Sequence, residues 1–502
     1  MYQNEQVAIV GVGMSGICMA VRLKKAGIPF IIYEKNHDVG GTWLENDYPN
    51  AGCDIASHLY SYSFELGNWS QYYSKQKEIL KYFQHVAKKY DIIKYVRFNT
   101  EINLAKWVVG ENKWIVEYNG GSSEHQTLIC ACGQLNRPKI APIPGREQFV
   151  GEQWHSARWR HDIDLKGKTV ACVGNGASAM QFLPTVAEDA KQLYIFQVEP
   201  NFVVPNPIYY TKVDGWYKTM FDYVPFAQRF YRWYLYWGRD SRFFYGGLEK
   251  GSEENKQTTK QLKDYIALKN MKAFKGDEKA KRIYEASVPT YDAFCKRALI
   301  DNSYFETLNR SNVDLVTNRI INIVEDGPVT KEDGVLEDVD IIIWATGFHS
   351  NKFLTPIDVV GKNGQTLEEY WNGEPKAYLG VTVPNFPNFY MLYGPNTNLG
   401  HSSIIFQTEC QVDYIISMLK TMDSNGALAI DVKESVLNDF VEEVYERMDT
   451  KVFGGSCESW YKTATGKVVN NSPYSTTEYW YKTYSNSSKL DQYNVVMKGS
   501  RL

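Results

Sequence analysis

Two apolar runs near the start of the chain set its first repeating pattern. Val7–Val10 and Phe30–Tyr33 contain no charged residue, as is typical of strands that are buried on both faces of a parallel sheet. Between these runs, helical spacing extends from about Ser15 to Lys25, and Gly27 suits a helix C-cap. The pattern predicts a strand–helix–strand unit.

The same order of elements recurs further along the chain. Residues 168–173 and 193–196 read as strands and flank a glycine-rich turn and a helical stretch. Residues 127–133 and 340–347 are two further strand-like runs, mainly apolar, and each ends in a glycine turn. These features predict a second unit built like the first.

The turn after the first strand has the glycine spacing of a dinucleotide site. Gly11 permits a tight turn, Gly13 lets the backbone approach a pyrophosphate, and Gly16 lets the helix pack closely on the sheet. Glu34 closes the second strand, where a carboxylate can accept bonds from a ribose hydroxyl. The alternative is a glycine-rich turn in an unrelated parallel sheet, but the order strand, glycines, helix, strand and acid favours a dinucleotide.

The second glycine turn has the same layout with one substitution and one omission. Gly174, Gly176 and Ala179 occupy the three glycine positions, and the third position asks only for a small residue. No acid follows the next strand at the spacing of the first unit, where the chain reads Gln-Val198-Glu199. Two nucleotide sites in one chain suggest that electrons pass from one bound cofactor to another.

The predicted fold class is α/β, with two Rossmann-like dinucleotide-binding domains that are interleaved in sequence. We assign residues 1–145 and 346–502 to one domain, the latter including a C-terminal segment, and residues 146–345 to the other. A helical insertion is expected at about 208–290, which is rich in Tyr, Trp, Phe and Lys. The polar segment after Lys482 is expected to be mobile.

Composition and charge exclude several classes of protein. The 502 residues are 44% hydrophobic and carry a net charge of -3, so no nucleic-acid binding and no stable membrane association are expected. The first strand begins at Val7, which leaves no room for a signal peptide. The eight cysteines show no metal-ligand spacing, and Cys130 and Cys132 are predicted to be packed, reduced thiols in a cytoplasmic protein. No C-x-x-C or C-x-x-x-x-C pair is present, which argues against a disulfide reductase.

A longer motif lies just ahead of the second glycine turn. It reads Phe149-Val-Gly-Glu-Gln-Trp-His155-Ser-Ala-Arg-Trp159, an F-x-G-x-x-x-H-x-x-x-W string. This string resembles the fingerprint of the Baeyer–Villiger monooxygenases, and the 4-hydroxyacetophenone monooxygenase branch is the most similar. Further matching blocks are Gly40-Gly-Thr-Trp43, Tyr48-Pro to Asp54, Gly133-Gln-Leu-Asn-Arg-Pro138, Ala345-Thr-Gly347 and Ser459-Trp-Tyr461.

The resemblance implies FAD at the first site and NADPH at the second. It also implies that one oxygen atom of O2 is inserted next to a ketone carbonyl through a C4a-peroxyflavin, giving an ester or lactone. An alternative is a flavin monooxygenase that oxygenates nitrogen or sulfur, since it shares the fold and uses the peroxide in its protonated form. A non-catalytic nucleotide-binding protein is a further alternative.

The resemblance also assigns roles to individual residues. Arg297, of the pair Lys296-Arg297, is expected to be the catalytic cation, and Asp54 is expected to orient it. His155 is either a core histidine or a residue that couples domain motion to nicotinamide binding. Cofactor contacts are expected from Gly11, Gly13, Ser15, Gly16, Glu34, Lys35, Gly41, Thr42, Trp43, Asp54, Tyr60, Ile102, Gln134, Gly174, Gly176, Ala177, Ser178, Ala179, Lys296 and Trp460.

Two departures from the family pattern concern the nicotinamide. The arginine that grips the 2′-phosphate of NADPH in the family is replaced by Val198, and the acid Glu199 follows it. A second arginine, in the Tyr-Pro block, is replaced by Gly52. These changes predict a weakened preference for NADPH and good use of NADH. A small-molecule ketone and O2 are the expected partners, whereas the ketone's identity and the oligomeric state stay open.

Overall fold

The computed structural model describes residues 7–332, 334–336 and 338–498. The start of the predicted range 1–145 and the end of the predicted range 346–502 therefore lie outside the described residues. The strands are β1 (Val7–Val10), β2 (Phe30–Tyr33), β3 (Val96–Arg97), β4 (Ile102–Val108), β5 (Lys113–Tyr118), β6 (Gly121–His125), β7 (Thr127–Cys130), β8 (Glu152–His155), β9 (Thr169–Val173), β10 (Gln192–Phe196), β11 (Val203–Val204), β12 (Leu299–Ile300), β13 (Val313–Val316), β14 (Ile320–Val324), β15 (Gly327–Thr330), β16 (Gly334–Val335), β17 (Ile341–Trp344), β18 (Asp358–Val360), β19 (Phe389–Met391), β20 (Ala427–Val432) and β21 (Tyr493–Met497).

The α-helices are α1 (Met14–Ala26), α2 (Thr42–Glu45), α3 (Gln76–Lys89), α4 (Ala177–Asp189), α5 (Gly215–Tyr223), α6 (Ala227–Gly238), α7 (Glu253–Lys269), α8 (Glu278–Ser287), α9 (Tyr304–Leu308), α10 (Leu367–Trp371), α11 (Ile404–Ser424), α12 (Glu434–Asp449) and α13 (Thr476–Asn486). A π-helical segment, Arg239–Gly247, follows α6 directly. No helix within the described residues has the length and apolar content needed to cross a lipid bilayer.

The first sheet has the strand order β19-β7-β1-β2-β3, and all of its pairs are parallel. Alternate residues of β1 enter different cores. Val7 and Ile9 pack with α1 and α11, whereas Ala8 and Val10 pack against the four-stranded sheet β18-β4-β5-β6. Burial on both faces explains why this strand is apolar throughout.

The second sheet has the order β13-β10-β9-β17-β8 and is also parallel throughout. Val170 and Cys172 of β9 pack with α4 and α9, while Ala171 and Val173 pack on the opposite face with Ile323 of β14. The predicted α/β class with two dinucleotide-binding units is therefore confirmed, and both glycine turns follow the central strands of their sheets.

Backbone geometry explains the glycines of the first turn. Gly11 has φ +96°, which favours glycine, and a Cβ atom on Gly16 would lie 2.0 Å from the carbonyl oxygen of Gly11. Gly27 has φ +71° and donates its N–H to the carbonyls of Leu23 and Lys24, which ends α1 where the sequence predicts.

The C-terminal segment differs from the prediction of a mobile tail. The helix α13 continues to Asn486, and β21 pairs antiparallel with β20. Tyr493 is 4% exposed, and its hydroxyl shares a hydrogen bond with Tyr414 of α11. The segment is polar in composition, but the burial of this one ring and the strand pairing keep it folded on the protein.

Candidate functional site

A central cavity of about 690 Å³ lies between the two glycine turns. Gly11 and Gly13 line it from the first unit, and Gly174 and Gly176 line it from the second. Its volume falls within the roughly 300–1,000 Å³ that is usual for small-molecule sites. The position, at the carboxyl ends of parallel strands in both sheets, is where open α/β sheets bind ligands.

The structure brings most of the predicted site residues to this cavity. Those that line it are Gly11, Gly13, Ser15, Glu34, Lys35, Gly41, Thr42, Trp43, Asp54, Tyr60, Ile102, Gln134, Gly174, Gly176, Ala177, Ser178, Arg297 and Trp460. Gly16, Ala179 and Lys296 do not line it. Gly16 and Ala179 hold the third glycine positions, which face the neighbouring backbone and core rather than a ligand.

The first glycine turn forms a backbone cradle with residues 40–41. Gly41 has φ +54°, and a Cβ atom there would lie 2.9 Å from the Cα atom of Gly13. A Cβ atom on Gly13 would lie 3.3 Å from the Cα atom of Gly41, so both positions favour glycine, and both line the cavity with backbone alone. The arrangement fits a pyrophosphate, which needs N–H donors and no side chains in its path.

Glu34 lies beside this cradle and is held by the backbone. Its two carboxylate oxygens accept hydrogen bonds from the N–H of Val12 at 2.8 Å and the N–H of Asn36 at 2.9 Å. Burial raises the pKa of Glu34, against the lowering effect of these two bonds. A carboxylate has about four acceptor positions, so the group retains capacity for a ribose hydroxyl.

Other predicted contacts of the first unit are engaged with protein partners. Lys35 Nζ pairs with a carboxylate oxygen of Glu45 at 2.8 Å, so it is not a free cation. Trp43 Nε1 donates to the hydroxyl of Tyr60 at 3.0 Å, which fixes both rings at the cavity wall. Gln134 Nε2 donates to the carbonyl of Tyr393 at 3.0 Å.

Arg297 and Asp54, which are 243 residues apart, form an ion pair at the cavity. Arg297 Nε donates to Asp54 Oδ2 at 2.9 Å, and Nη2 donates to the same oxygen. The Asp54 carboxylate raises the pKa of Arg297, so the guanidinium stays charged. The hydroxyls of the half-buried Tyr393 and the buried Tyr461 also lie within electrostatic range of the guanidinium. The contact expected between the two charged residues is present, and both residues line the cavity.

The segment that carries Asp54 is fastened by a residue that the sequence analysis missed. Gln181 of α4 accepts a hydrogen bond from the Tyr48 hydroxyl at 3.0 Å and donates to the carbonyl of Gly52 at 2.9 Å. Gln181 lies one helical turn after Ala177, on the same face of α4. That spacing is the signal that could have identified it.

His155 of the fingerprint joins two strand ends instead of facing the cavity. Its Nε2 donates to the carbonyl of Gly347 at 2.9 Å, and its Nδ1 accepts from the N–H of Ala157 at 3.1 Å. Burial lowers the pKa of His155 to about 4, so the ring is neutral near pH 7. These contacts favour a connecting role. Trp159 packs on Phe182, with ring centroids 5.1 Å apart.

Lys296 points away from the cavity and towards the acid that follows β10. Its Nζ forms an ion pair with Glu199, and the ammonium lies 5.0 Å from the ring centroid of Tyr291. Val198 is 63% exposed beside this pair. The positive charge of Lys296 is therefore neutralised by Glu199, the acid that follows Val198.

A disulfide links Cys295 to Cys457, across 162 residues of sequence. Cys295 immediately precedes Lys296, and Cys457 lies three residues before Trp460. The sequence analysis made no prediction for this pair, because spacing over such a distance carries no sign of pairing. Cys130 and Cys132 are free thiols as predicted. Among the described residues, no group of three or more His, Cys, Asp or Glu is placed to hold a metal ion.

Comparison with known proteins agrees with this geometry. Residues 4–210 match the family described as flavin-binding monooxygenase-like. A Baeyer–Villiger monooxygenase of Streptomyces coelicolor is 33% identical over 95% of this chain and 90% of its own length. One of Pseudomonas aeruginosa is 34% identical over 91% of this chain and 85% of its own length.

Solved structures are similar over the whole chain. An oxidized steroid monooxygenase bound to NADP has a TM-score of 0.86 and 28% identity, covering 98% of this chain and 99% of its own. A cyclohexanone monooxygenase from Rhodococcus sp. Phi1 bound to NADP+ has a TM-score of 0.85 and 26% identity, with the same coverage. Similarity to the 4-hydroxyacetophenone branch in particular stays a prediction. The chain belongs to the Baeyer–Villiger monooxygenases, within the flavin-binding monooxygenase family.

Proposed function

We propose that FAD binds at the Gly11 turn, that NADPH or NADH binds at the Gly174 turn, and that Arg297 acts between them on a ketone and dioxygen. The product is an ester or lactone. The observation that carries this proposal is the ion pair of Arg297 with Asp54 at the wall of the central cavity. Such a pair presents a fixed cation where both glycine turns converge.

The residues of this chain do three things in the proposed reaction. The Gly13–Gly41 cradle and Glu34 hold the dinucleotide with backbone donors and a carboxylate. When bound, FAD supplies the activation of dioxygen and the nicotinamide supplies the hydride. Arg297 stabilises the negative charge that develops on the carbonyl oxygen, since a preorganised cation needs little rearrangement. Asp54 keeps the guanidinium in the required orientation.

We also propose that the nicotinamide preference is weakened towards NADH. The support is the ion pair between Lys296 and Glu199, together with the uncharged Val198. A 2′-phosphate would meet a neutralised lysine and a nearby carboxylate, whereas a free ribose hydroxyl could donate to that carboxylate. The specificity for the 2′-phosphate is therefore expected to be lower than in a site with an unpaired arginine.

We also propose that the domain limits are those predicted from the sequence. Residues 1–145 and 346–502 form the FAD domain, and residues 146–345 form the nicotinamide domain. The pairing of β19 with β7, in the sheet that holds β1, supports this return of the chain. A cytoplasmic location also stays a prediction.

The test begins with an absorbance spectrum of the purified protein and continues with nicotinamide oxidation against aryl, cyclic and aliphatic ketones. A flavin spectrum with ketone-dependent ester formation is expected. A thioether serves as the comparison substrate, because an N- or S-oxygenating enzyme would turn over the thioether and leave every ketone unchanged. A protein that neither carries nor takes up FAD would refute the proposal outright.

A further inference from the structure

Helix α6 presents an aromatic stripe to solvent. Phe230, Trp233, Tyr234 and Trp237 follow the i, i+3, i+4, i+7 spacing of one helix face, and they are 68%, 57%, 64% and 41% exposed. Their rings contact one another along the stripe, with centroids of Phe230 and Trp233 at 5.8 Å and of Trp233 and Trp237 at 6.3 Å. The usual amphipathic surface helix turns such a face inward.

The opposite face of α6 is fixed to the protein by polar contacts. Arg232 Nη1 donates to the carbonyl of Leu59 at 2.7 Å, and its Nη2 lies 3.8 Å from a carboxylate oxygen of Glu409. The hydroxyl of Tyr236 shares a hydrogen bond with Thr477 of α13 at 2.8 Å. Rotating the helix to turn the aromatic stripe inward would break these polar contacts, so they hold the stripe in its outward orientation.

The turn between α5 and α6 is also apolar. Tyr223, Val224 and Phe226 are 80%, 53% and 74% exposed, and Pro225 lies between them. Turns of this kind are normally polar because they project into water. Of the 25 large apolar side chains with substantial exposure among the described residues, nine lie within residues 215–238. The exposure is therefore concentrated in one hairpin, residues 215–238, and is not spread over the surface.

The charges of this hairpin favour an anionic partner. Helix α6 contains no carboxylate, and of its two arginines Arg232 is paired with Glu409 on the inner face while Arg229 is exposed beside the stripe. On α5, Lys218 pairs with Asp222 at 2.6 Å, so that acid is already neutralised. Tryptophan, tyrosine and arginine together are the residues that sit at the headgroup level of phospholipid bilayers.

We propose that the hairpin of α5 and α6 docks on the surface of an anionic phospholipid membrane, with the rings of α6 among the headgroups and the turn at Phe226 inserted most deeply. A second copy of the chain fits this surface less well. A twofold interface would place the same patch on both sides, and α6 of the second copy would offer no carboxylate to pair with Arg229. Average composition predicts no membrane association, because a patch of some 24 residues hardly alters the mean.

The test uses the full-length, FAD-loaded protein and vesicles of phosphatidylcholine with and without phosphatidylglycerol. Wild-type protein is expected to sediment with the vesicles that contain phosphatidylglycerol, and brominated phospholipid is expected to quench part of its tryptophan fluorescence. The combined variant Phe230→Ser, Trp233→Ser, Tyr234→Ser and Trp237→Ser is expected to lose at least about tenfold in vesicle affinity, given the apolar area removed. FAD content should stay unchanged, because these four residues do not line the central cavity.

A matched control carries Leu268→Ser and Phe274→Ser, two side chains that are 62% and 60% exposed outside the hairpin. This control should bind vesicles as the wild type does. Phe226→Asn provides a second route if the fourfold variant fails to fold, since Asn tolerates the φ of +65° found there. Phe226→Asn should weaken vesicle binding and reduce quenching.

Two results would overturn the proposal. One is equal vesicle binding by the wild type, the fourfold variant and Phe226→Asn. The other is a wild-type dimer in buffer that ignores both kinds of vesicle and becomes a monomer in the fourfold variant, which would assign the stripe to contact between copies. Both can be judged from sedimentation alone, without any measurement of ketone oxidation.

Discussion

Among single residues, Arg297 offers the sharpest test, because its partner and its position at the cavity are both defined. Replacing Arg297 with Ala removes the fixed cation but leaves both glycine turns intact. We expect nicotinamide-driven flavin reduction to continue, while the rate of ester formation falls by about 10²–10³-fold, as when a preorganised oxyanion donor is lost. Stopped-flow reduction and product analysis measure the two steps separately.

Arg297→Lys is the matched control, since it keeps the charge and loses the forked geometry towards Asp54. An intermediate rate of ester formation is expected from this variant. Normal ester yield from Arg297→Ala would remove Arg297 from the role proposed for it, whatever the rate of flavin reduction.

A substitution at Val198 tests the preference between NADPH and NADH. Val198→Arg would add a cation at an exposed position next to the Lys296–Glu199 pair. A charge-assisted contact with a phosphate is worth about 1.5–3 kcal/mol, so we expect the ratio of kcat/KM for NADPH over NADH to rise at least about tenfold. Val198→Gln is the uncharged control. A wild-type preference for NADPH above about 100-fold would contradict the proposed weakening.

His58 makes stability depend on pH. It is 4% exposed and packs against Phe221 and Tyr231, and burial lowers the pKa of His58 to about 4. The pKa of histidine in an unfolded chain is about 6.5, so between pH 4 and pH 6.5 the unfolded state binds more protons than the folded state. The stabilisation that comes from neutral His58 is therefore complete above about pH 6.5 and is lost as the pH falls towards about 4.

The free energy of unfolding, measured by denaturant titration from pH 7 to pH 4, should fall less steeply for His58→Phe than for the wild type. Phe keeps a ring in the site and does not titrate. His155 has a similarly lowered pKa, so part of the slope should remain in the variant. Identical slopes would show that His58 is not a source of the pH dependence.

At the scale of elements, the sequence predicts what is governed by local pattern. β1 and β2 coincide with the predicted apolar runs, and α1 ends at the glycine cap. The C-terminal strand β21 was missed because its pairing with β20 is a contact with a distant part of the chain. Apolar periodicity identifies an element that buries a face, but it cannot identify one whose stability comes from a single buried tyrosine and a partner strand.

The disulfide between Cys295 and Cys457 joins the two chain segments that carry Arg297 and Trp460, both of which line the cavity. Closing a long loop constrains the unfolded chain, and such bonds typically contribute about 2–4 kcal/mol. We expect a reductant such as TCEP to lower the unfolding free energy of the wild type by this amount. The double variant Cys295→Ser and Cys457→Ser should show no response to TCEP, since the other described cysteines are free. Equal responses from both proteins would contradict a stabilising role.

At the scale of the whole molecule, Gln181 connects the two nucleotide units. It lies on α4 of the second unit and binds Tyr48 and Gly52 of the first, two residues before Asp54. Gln181→Ala should lower the unfolding free energy by about 1–3 kcal/mol, because the Tyr48 hydroxyl and the half-buried Gly52 carbonyl each lose a hydrogen bond. The share of nicotinamide oxidised without ester formation should rise as Asp54 loosens.

Thr185→Ala is the control for Gln181, since it removes only the exposed hydrogen bond from Asn50. Its effect on stability should stay within about 0.5 kcal/mol. Coupling of nicotinamide oxidation to ester formation should be unchanged in the control. If Gln181→Ala behaved like Thr185→Ala in both measurements, the hydrogen bonds of Gln181 would contribute neither to stability nor to the coupling of nicotinamide oxidation to ester formation.

The candidate site could be predicted from the sequence wherever a motif fixes the role of a residue. The two glycine turns and the pair of Arg297 with Asp54 were found in this way. Tyr393 and Tyr461 were not assigned to the surroundings of Arg297, because they arrive from distant segments and only the folded chain brings them there. The exposed stripe on α6 was also missed, since its spacing is the same as that of a buried helix face.

Docking of the outward-facing stripe of α6 on a membrane would reduce the selectivity for ketones that the pocket itself must supply. Lipophilic ketones partition from water into bilayers, where their concentration far exceeds the aqueous one. An enzyme bound at the membrane surface would take its ketone from this higher local concentration, so weak binding of the ketone in the pocket would be enough for turnover. Which ketones are oxidised would then follow from oil–water distribution as much as from the shape of the active site.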